Sequence, residues 1–299
     1  MPQRREEAQG KAPHAAAQHG FTLVETAIVL VVIGLLVGGI FVGRDLIAAA
    51  RVRAQVGQVE KYNAAVHVFH QKYNALPGDM TPDLATAFGF AARAGTVGQG
   101  DGNGLIEGGQ RNGLEPAGEQ ALFWADLTVA GLVDGSFQGT DCSYSTGSCT
   151  ASTGGGGGSI PMSQIIPMGK LRDTSTILVF SNADGTNYFM LVGGSGQHID
   201  SNGNWWGWSG APDATTGFGA TPSEAFAIDT KVDDGLPTTG VILSKFPGAV
   251  AGAAPVSAGH AGPASAGKCG NTDTTPTSYN ANVAYGTQLA CALLIRTSF

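Results

Sequence analysis

Charge is scarce in this 299-residue chain: Asp, Glu, Lys and Arg make up only 13% of it. What charge there is leans acidic, with 16 Lys and Arg against 23 Asp and Glu, for a formal net charge of −7. A protein that grips phosphates needs a basic face, so the composition argues against nucleic acid as a partner. Cysteines number only four. None stands in a CxxC pair, which removes the common thiol metal and redox motifs. There is no GxSxG elbow, no phosphate-binding loop and no legible Ser-His-Asp arrangement. The chain is therefore read as a non-enzyme for which no cofactor is expected.

What the chain has in excess is one apolar run. From Phe21 to Gly43 it is almost unbroken. At about 1.5 Å per helical residue this is enough to cross a hydrocarbon core of roughly 30 Å. The run is too long for the apolar part of a secretory signal, and no small-x-small cleavage pattern follows it. The stretch before it is polar, with Arg4, Arg5, Glu6, Glu7 and Lys11. The break in character comes at Gly20. One carboxylate, Glu25, lies inside the run. A charge at membrane depth costs several kcal/mol unless paired, so Glu25 is a functional residue by default.

The junction Gly20-Phe21-Thr22-Leu23-Val24-Glu25, followed by an apolar helix, resembles the type IV prepilin signal. That signal is shared by type IV pilins and the pseudopilins of type II secretion. The resemblance implies that residues 1–20 are a leader. It implies cleavage by prepilin peptidase between Gly20 and Phe21, then N-methylation of Phe21. Gly20 suits a tight protease site because it has no side chain. Glu25 matches the family's glutamate. In a lone subunit it would be isolated in lipid; in a filament it would pair with the α-amino group of Phe21 on a neighbour. The partners implied are the chain itself, other pilins, prepilin peptidase and a pilus or type II secretion assembly platform. The function implied is that of a type IV pilin-like subunit of a pilus used in adhesion, motility or DNA uptake. The alternative is a pseudopilin of type II secretion, and a third is a membrane-anchored binding protein that never polymerises. A body larger than many major subunits favours a minor or specialised pilin, and retention of Glu25 argues against a tip subunit.

The fold implied is α+β: a pilin-like lollipop with a long N-terminal helix on an antiparallel sheet. Residues 21–76 would be the helix, transmembrane over 21–43 and amphipathic over 44–76, and residues 77–299 the globular domain. The pattern supports this independently. Val52, Val56, Val59, Val66, Phe69 and Tyr73 recur at helical steps, with Arg51, Arg53, Gln55, Gln58 and Lys61 between them. Leu76-Pro77-Gly78-Asp79 ends the helix. The leader carries three cations and two anions, so the mature chain has a net charge of −8.

Further on, a helix is predicted near Gly118 to Ala130. Thr176–Phe180 and Tyr188–Val192 read as a hairpin across Ala183-Asp184-Gly185. Ala225–Ile228, Gly240–Leu243 and Leu289–Ile295 are further strand candidates, and three or four of these would make the sheet. Asp101-Gly102-Asn103-Gly104 reads as a tight turn. Four cysteines allow three pairings. The nearest-neighbour one, Cys142 with Cys149 and Cys269 with Cys291, is preferred because both pairs close Gly-, Ser- and Thr-rich segments. Disulfides place the body in the periplasm or outside the cell. The chain is then a single-pass inner-membrane protein, N-terminus cytoplasmic before cleavage, that passes to a pilus at the cell surface or to a periplasmic pseudopilus.

Three weaker signals remain. Asp229, Asp233 and Asp234, ahead of Gly235, resemble an acidic turn of pilin-like sequences and are the main candidates for structural calcium. Calcium takes six to eight oxygens, and no complete calcium-loop pattern is legible around them. His67 and His70 lie three apart but lack a third ligand. Trp205, Trp206 and Trp208 would pin a loop to the core or form a binding platform.

Overall fold

Helix α1 runs unbroken from Leu23 to Tyr73 in the computed structural model. The structure describes residues 22–107, 118–138, 142–143, 148–149, 162–173, 175–181, 185–193, 198–199, 205–206, 219–244, 269, 278–279, 291 and 293–299. The chain divides into two compact units, Met1–Ala48 and Ala49–Phe299. In the first, every residue from 22 to 42 is exposed, including Leu23, Leu30, Leu35, Ile40 and Phe41. An all-round apolar helix in water would be unstable. In lipid its backbone bonds are satisfied internally and its side chains match the solvent.

The second unit is built around the other half of α1. Val52, Val59, Tyr62, Val66, Phe69 and Tyr73 are buried at steps of three, four or seven, as the amphipathic pattern predicts. Gln55 departs from that prediction. It was assigned to the polar face, yet it is fully buried. Its Oε1 accepts the backbone N–H groups of Lys170, at 2.7 Å, and Leu171, at 3.3 Å. Gln58 Nε2 donates to the carbonyl of Met168 at 2.8 Å. Two glutamines thus give loop 168–171 the partners that a neighbouring strand would supply, which covers the cost of burying an amide.

Asn74, in the left-handed region at φ 53°, ends α1. The chain then turns through Gly78, at φ +84°, where a Cβ would overlap the carbonyl of Glu119. Two short helices follow. The first, α2 (Pro82–Phe88), has Pro near its start and Gly89 in the left-handed region at its end. The second, α3 (Glu119–Val129), matches the helix predicted over 118–130. Trp124 of α3 sits edge-on to Tyr62 of α1, with ring centroids 4.9 Å apart, and stacks near Phe189 at 6.0 Å.

The predicted hairpin is present as β3 (Ser175–Ser181) and β4 (Asn187–Gly193), in antiparallel register from Ser175 opposite Gly193 to Ser181 opposite Asn187. β8 (Leu293–Arg296) pairs with β4, and β7 (Ile242–Leu243) with β8. The sheet order is β3-β4-β8-β7, all antiparallel. All seven residues of β3 are buried, so both of its faces are covered. Bonds such as Gly169 N–H to the Ser175 carbonyl, at 2.6 Å, close its edge. The pairs β1 (Cys142–Ser143) with β2 (Ser148–Cys149), and β5 (His198–Ile199) with β6 (Trp205–Trp206), are two-residue ladders.

One strand prediction is corrected. Ala225–Ile228 lies inside a helix, α4 (Pro222–Val232). The reason is local: Thr221 accepts the N–H of Glu224 at 3.2 Å, and Glu224 Oε2 accepts the N–H of Thr221 at 2.9 Å. This capping box, with Pro222 in the first turn, starts a helix whatever the β-propensity of the residues that follow. The chain is α+β, with a long N-terminal helix and a four-stranded antiparallel sheet, as expected.

Candidate functional site

The site with the most chemical content is the start of α1. Thr22 precedes the helix and Glu25 lies in its first turn. Glu25 Oε2 accepts both the backbone N–H and the hydroxyl of Thr22, each at 3.0 Å. The Thr22 hydroxyl in turn accepts the N–H of Glu25 at 3.3 Å. This is a reciprocal capping box at the positive end of the helix dipole. It corrects the expectation that Glu25 is isolated in a lone subunit: within one chain its carboxylate has a partner one turn away. The signal was in the sequence, since Thr-Leu-Val-Glu has the S/T-x-x-E spacing. Thr26 continues the pattern, its hydroxyl donating to the carbonyl of Leu23 at 3.0 Å. Gly20 and Phe21 lie outside the described residues.

Around this polar turn everything is apolar and exposed. By length and composition, α1 is the one helix among the described residues able to cross a membrane. Residues 16–41 match the family model of the prokaryotic N-terminal methylation motif. The chain carries a prepilin signal. The match spans the Gly20–Phe21 bond, Thr22 and Glu25 together. No curated protein and no solved structure matches the chain. The match supports reading the chain as a prepilin-type substrate, of the kind that type IV pilins and pseudopilins share. The motif and the apolar helix are consistent with membrane anchoring.

The other predicted residues fall in separate places. Cys269 and Cys291 form a disulfide with Cα atoms 4.9 Å apart. Cys142 and Cys149 face each other in the β1–β2 register, and their side chains lie outside the described residues. Cys291 also bridges Ala220, just before α4. His67 Nε2 meets the Ser298 hydroxyl at 2.8 Å. Trp205 and Trp206 belong to β6. Trp208, and the side chains of the other two tryptophans, lie outside the described residues.

Asp229, Asp233 and Asp234 do gather, each with one carboxylate oxygen within 4.8 Å of the others. Their oxygens, however, already have partners in the chain. Asp229 accepts the N–H of Gly235 at 3.0 Å and the hydroxyl of Tyr279 at 2.7 Å. Asp233 accepts the N–H groups of Val241 and Ile242. Asp234 accepts the N–H of Leu236 at 2.8 Å and the hydroxyl of Thr239 at 2.6 Å. Burial raises Asp229 to about 6, while the Thr239 hydroxyl holds Asp234 below the usual range. The three acids thus close one turn through backbone N–H groups and the hydroxyls of Tyr279 and Thr239.

A second carboxylate cluster was not foreseen. Asp79 accepts the N–H groups of Gly102 and Gly104, both at 2.7 Å. Glu119 accepts those of Gly100, at 2.7 Å, and Glu107, at 2.8 Å. The predicted turn at Asp101–Gly104 is therefore wrapped around two buried acids that are distant from it in sequence. Burial pushes Asp79 up to about 6 and Glu119 up to about 8. Beside them the buried Arg93 pairs with Asp126 at 2.6 Å, and Asp126 also takes the N–H of Gly78 at 2.7 Å. These groups build the domain. No sequence spacing signals them, because the contacts are nonlocal.

Proposed function

We propose that the chain is a subunit of a type IV pilus-like filament in which Glu25 is the residue that registers one subunit on the next. The observation that carries this reading is a single carboxylate, held by Thr22, in the exposed and otherwise almost wholly apolar stretch 22–42 of α1. Prepilin peptidase cuts between Gly20 and Phe21, freeing the α-amino group of Phe21, which becomes methylated. The new cation and the Glu25 carboxylate are then complementary. In the lone subunit Glu25 caps its own helix. In the polymer it exchanges that neutral partner for the amine of an adjacent Phe21. Such a buried pair contributes little net stability, but leaving either member unpaired is costly, so it sets register rather than acting as glue. The apolar side chains of residues 23–42 pass from lipid to neighbouring helices. The globular unit faces outward and does mechanical or adhesive work.

Electron microscopy of material sheared from the cell surface, with and without Glu25→Ala, tests this. Loss of filaments from the variant, with the leader still removed, is the expected result. Normal filaments from that variant would rule the pairing out. Filaments on the wild-type surface support a pilus, whereas a short periplasmic polymer needed for protein secretion would favour the pseudopilin reading.

A further inference from the structure

A protease draws the backbone around the bond it cuts into extended form, and here that bond adjoins a helix of 51 residues. Such a helix is already nucleated, so each further residue adds a hydrogen bond without a new nucleation cost. The leader offers good material for lengthening it: Ala15-Ala16-Ala17-Gln18 precede His19 and Gly20. A stop is needed between the apolar run and the leader.

Thr22 has the geometry of that stop. It is not itself helical, and α1 begins at Leu23. Its carbonyl accepts the first intrahelical bond, from the N–H of Thr26 at 3.2 Å. Its hydroxyl accepts the N–H of Glu25 at 3.3 Å, and its own N–H donates to the Glu25 carboxylate at 3.0 Å. For the helix to run on toward the leader, the Thr22 N–H would have to reach the carbonyl of Gln18 instead. That donor is already taken. Loss of the cap also has a direction. Retreat into the apolar run would break the Thr26 bond and leave N–H groups unpaired in apolar surroundings, which is costly. Advance meets Gly20, the next residue able to serve as a cap, and would draw Phe21 and Thr22 into the first helical turn.

We propose that Thr22 is a positioning residue for processing: by capping α1 at Leu23 it keeps the helix from running into the Gly20–Phe21 bond, which prepilin peptidase must bind in extended form. The inference rests on reading the chain as a prepilin-type substrate. Glu25 strengthens the cap without being essential to it. In Glu25→Ala the Thr22 hydroxyl still accepts the N–H of residue 25, so cleavage of that variant goes to completion.

The rate of leader removal from the full chain, in membranes that contain prepilin peptidase, tests this. Thr22→Val keeps the shape of threonine but cannot cap, whereas Thr22→Ser and Thr22→Asn cap with different shapes. Thr22→Val should be cut about fivefold more slowly, the usual effect of a lost cap on a helix start, with Thr22→Ser and Thr22→Asn within about twofold of wild type. Thr26→Val, whose hydroxyl bonds back to the Leu23 carbonyl in the native chain, should be cut at the wild-type rate. If Thr22→Val is cut as fast as wild type, the proposal fails and the processing reading stands. If Thr22→Asn is as slow as Thr22→Val, the peptidase reads the hydroxyl itself and the capping role is overturned. If the wild-type chain keeps its leader, the processing reading fails and takes the proposal with it.

Discussion

Among the described residues neither Glu25 nor Glu119 pairs with a cation, and the two solve that problem in opposite ways. Glu119 is enclosed by the domain, and each of its oxygens takes a backbone N–H from a distant loop. Its environment is complete. Glu25 lies on an exposed helix and borrows its hydrogen bonds from Thr22, three residues away. Its environment is a stopgap built from its own first turn. A carboxylate satisfied by nonlocal backbone serves folding. One satisfied only locally, in a segment bound for lipid, is free to change partners. The same contrast separates the two halves of α1. Residues 49–73 find their partners inside the unit, and residues 23–42 must find theirs outside the chain.

The largest effects should come from the processing junction. Gly20→Leu should leave the leader attached, seen as an intact mass heavier by residues 1–20, and should abolish assembly together with cleavage. Glu25→Ala should separate the two steps, with cleavage kept and assembly lost.

On the domain side, Trp124→Ala removes a fully buried ring that touches Tyr62, Phe123 and Phe189. It should destabilise the fold by about 3–5 kcal/mol, read as a lowered unfolding midpoint in denaturant. It should leave cleavage at Gly20 intact. Loss of cleavage in that variant would mean the two regions are less independent than the comparison holds.

Glu119 offers a smaller and more diagnostic effect. Its ordinary value is 4.5, and burial raises it to about 8 in the folded chain. Between about pH 4.5 and 8 the folded form keeps a proton that the unfolded form has lost. Stability therefore falls as pH rises through that window and levels off above it, by roughly 2–4 kcal/mol in all. Asp79 and Asp229, each raised to about 6, add the same sign in the lower part of the range. Thermal melts of the full chain in detergent at pH 5.5 and 8.5 should show the drop. In Glu119→Gln the slope should flatten, because the titrating group is gone. A wild-type melt that rises with pH would contradict the assigned burial.

The smallest effect belongs to Thr22→Val, which removes the hydroxyl but keeps the backbone N–H that Glu25 also accepts. Filament yield should fall without vanishing. Full loss would mean that the cap is itself part of the assembled contact.

Much of this arrangement was legible from local pattern. The apolar run, the amphipathic steps from Val52 to Tyr73, helix α3 and the β3–β4 hairpin all follow from periodicity and turn residues. α4 was misread because Ala-Phe-Ala-Ile looks like a strand, although Thr221, Pro222 and Glu224 already held the start signals of a helix. Gln55 was placed on the wrong face because its partners, at 170 and 171, lie more than a hundred residues away. The Asp79 and Glu119 cluster was invisible for the same reason. At the functional site the glutamate and the cleavage bond were readable, and the Thr22-x-x-Glu25 spacing already carried the capping signal that the helix start shows.

The central claim is that Glu25 exchanges Thr22 for a neighbour's Phe21. Solid-state NMR on filaments co-assembled from two pools of subunits, one labelled only with nitrogen-15 and the other only with carbon-13, measures this directly. The account predicts a through-space correlation between the α-nitrogen of Phe21 in one subunit and Cδ of Glu25 in another. Absence of that correlation, in filaments that still show other contacts between differently labelled subunits, would contradict it.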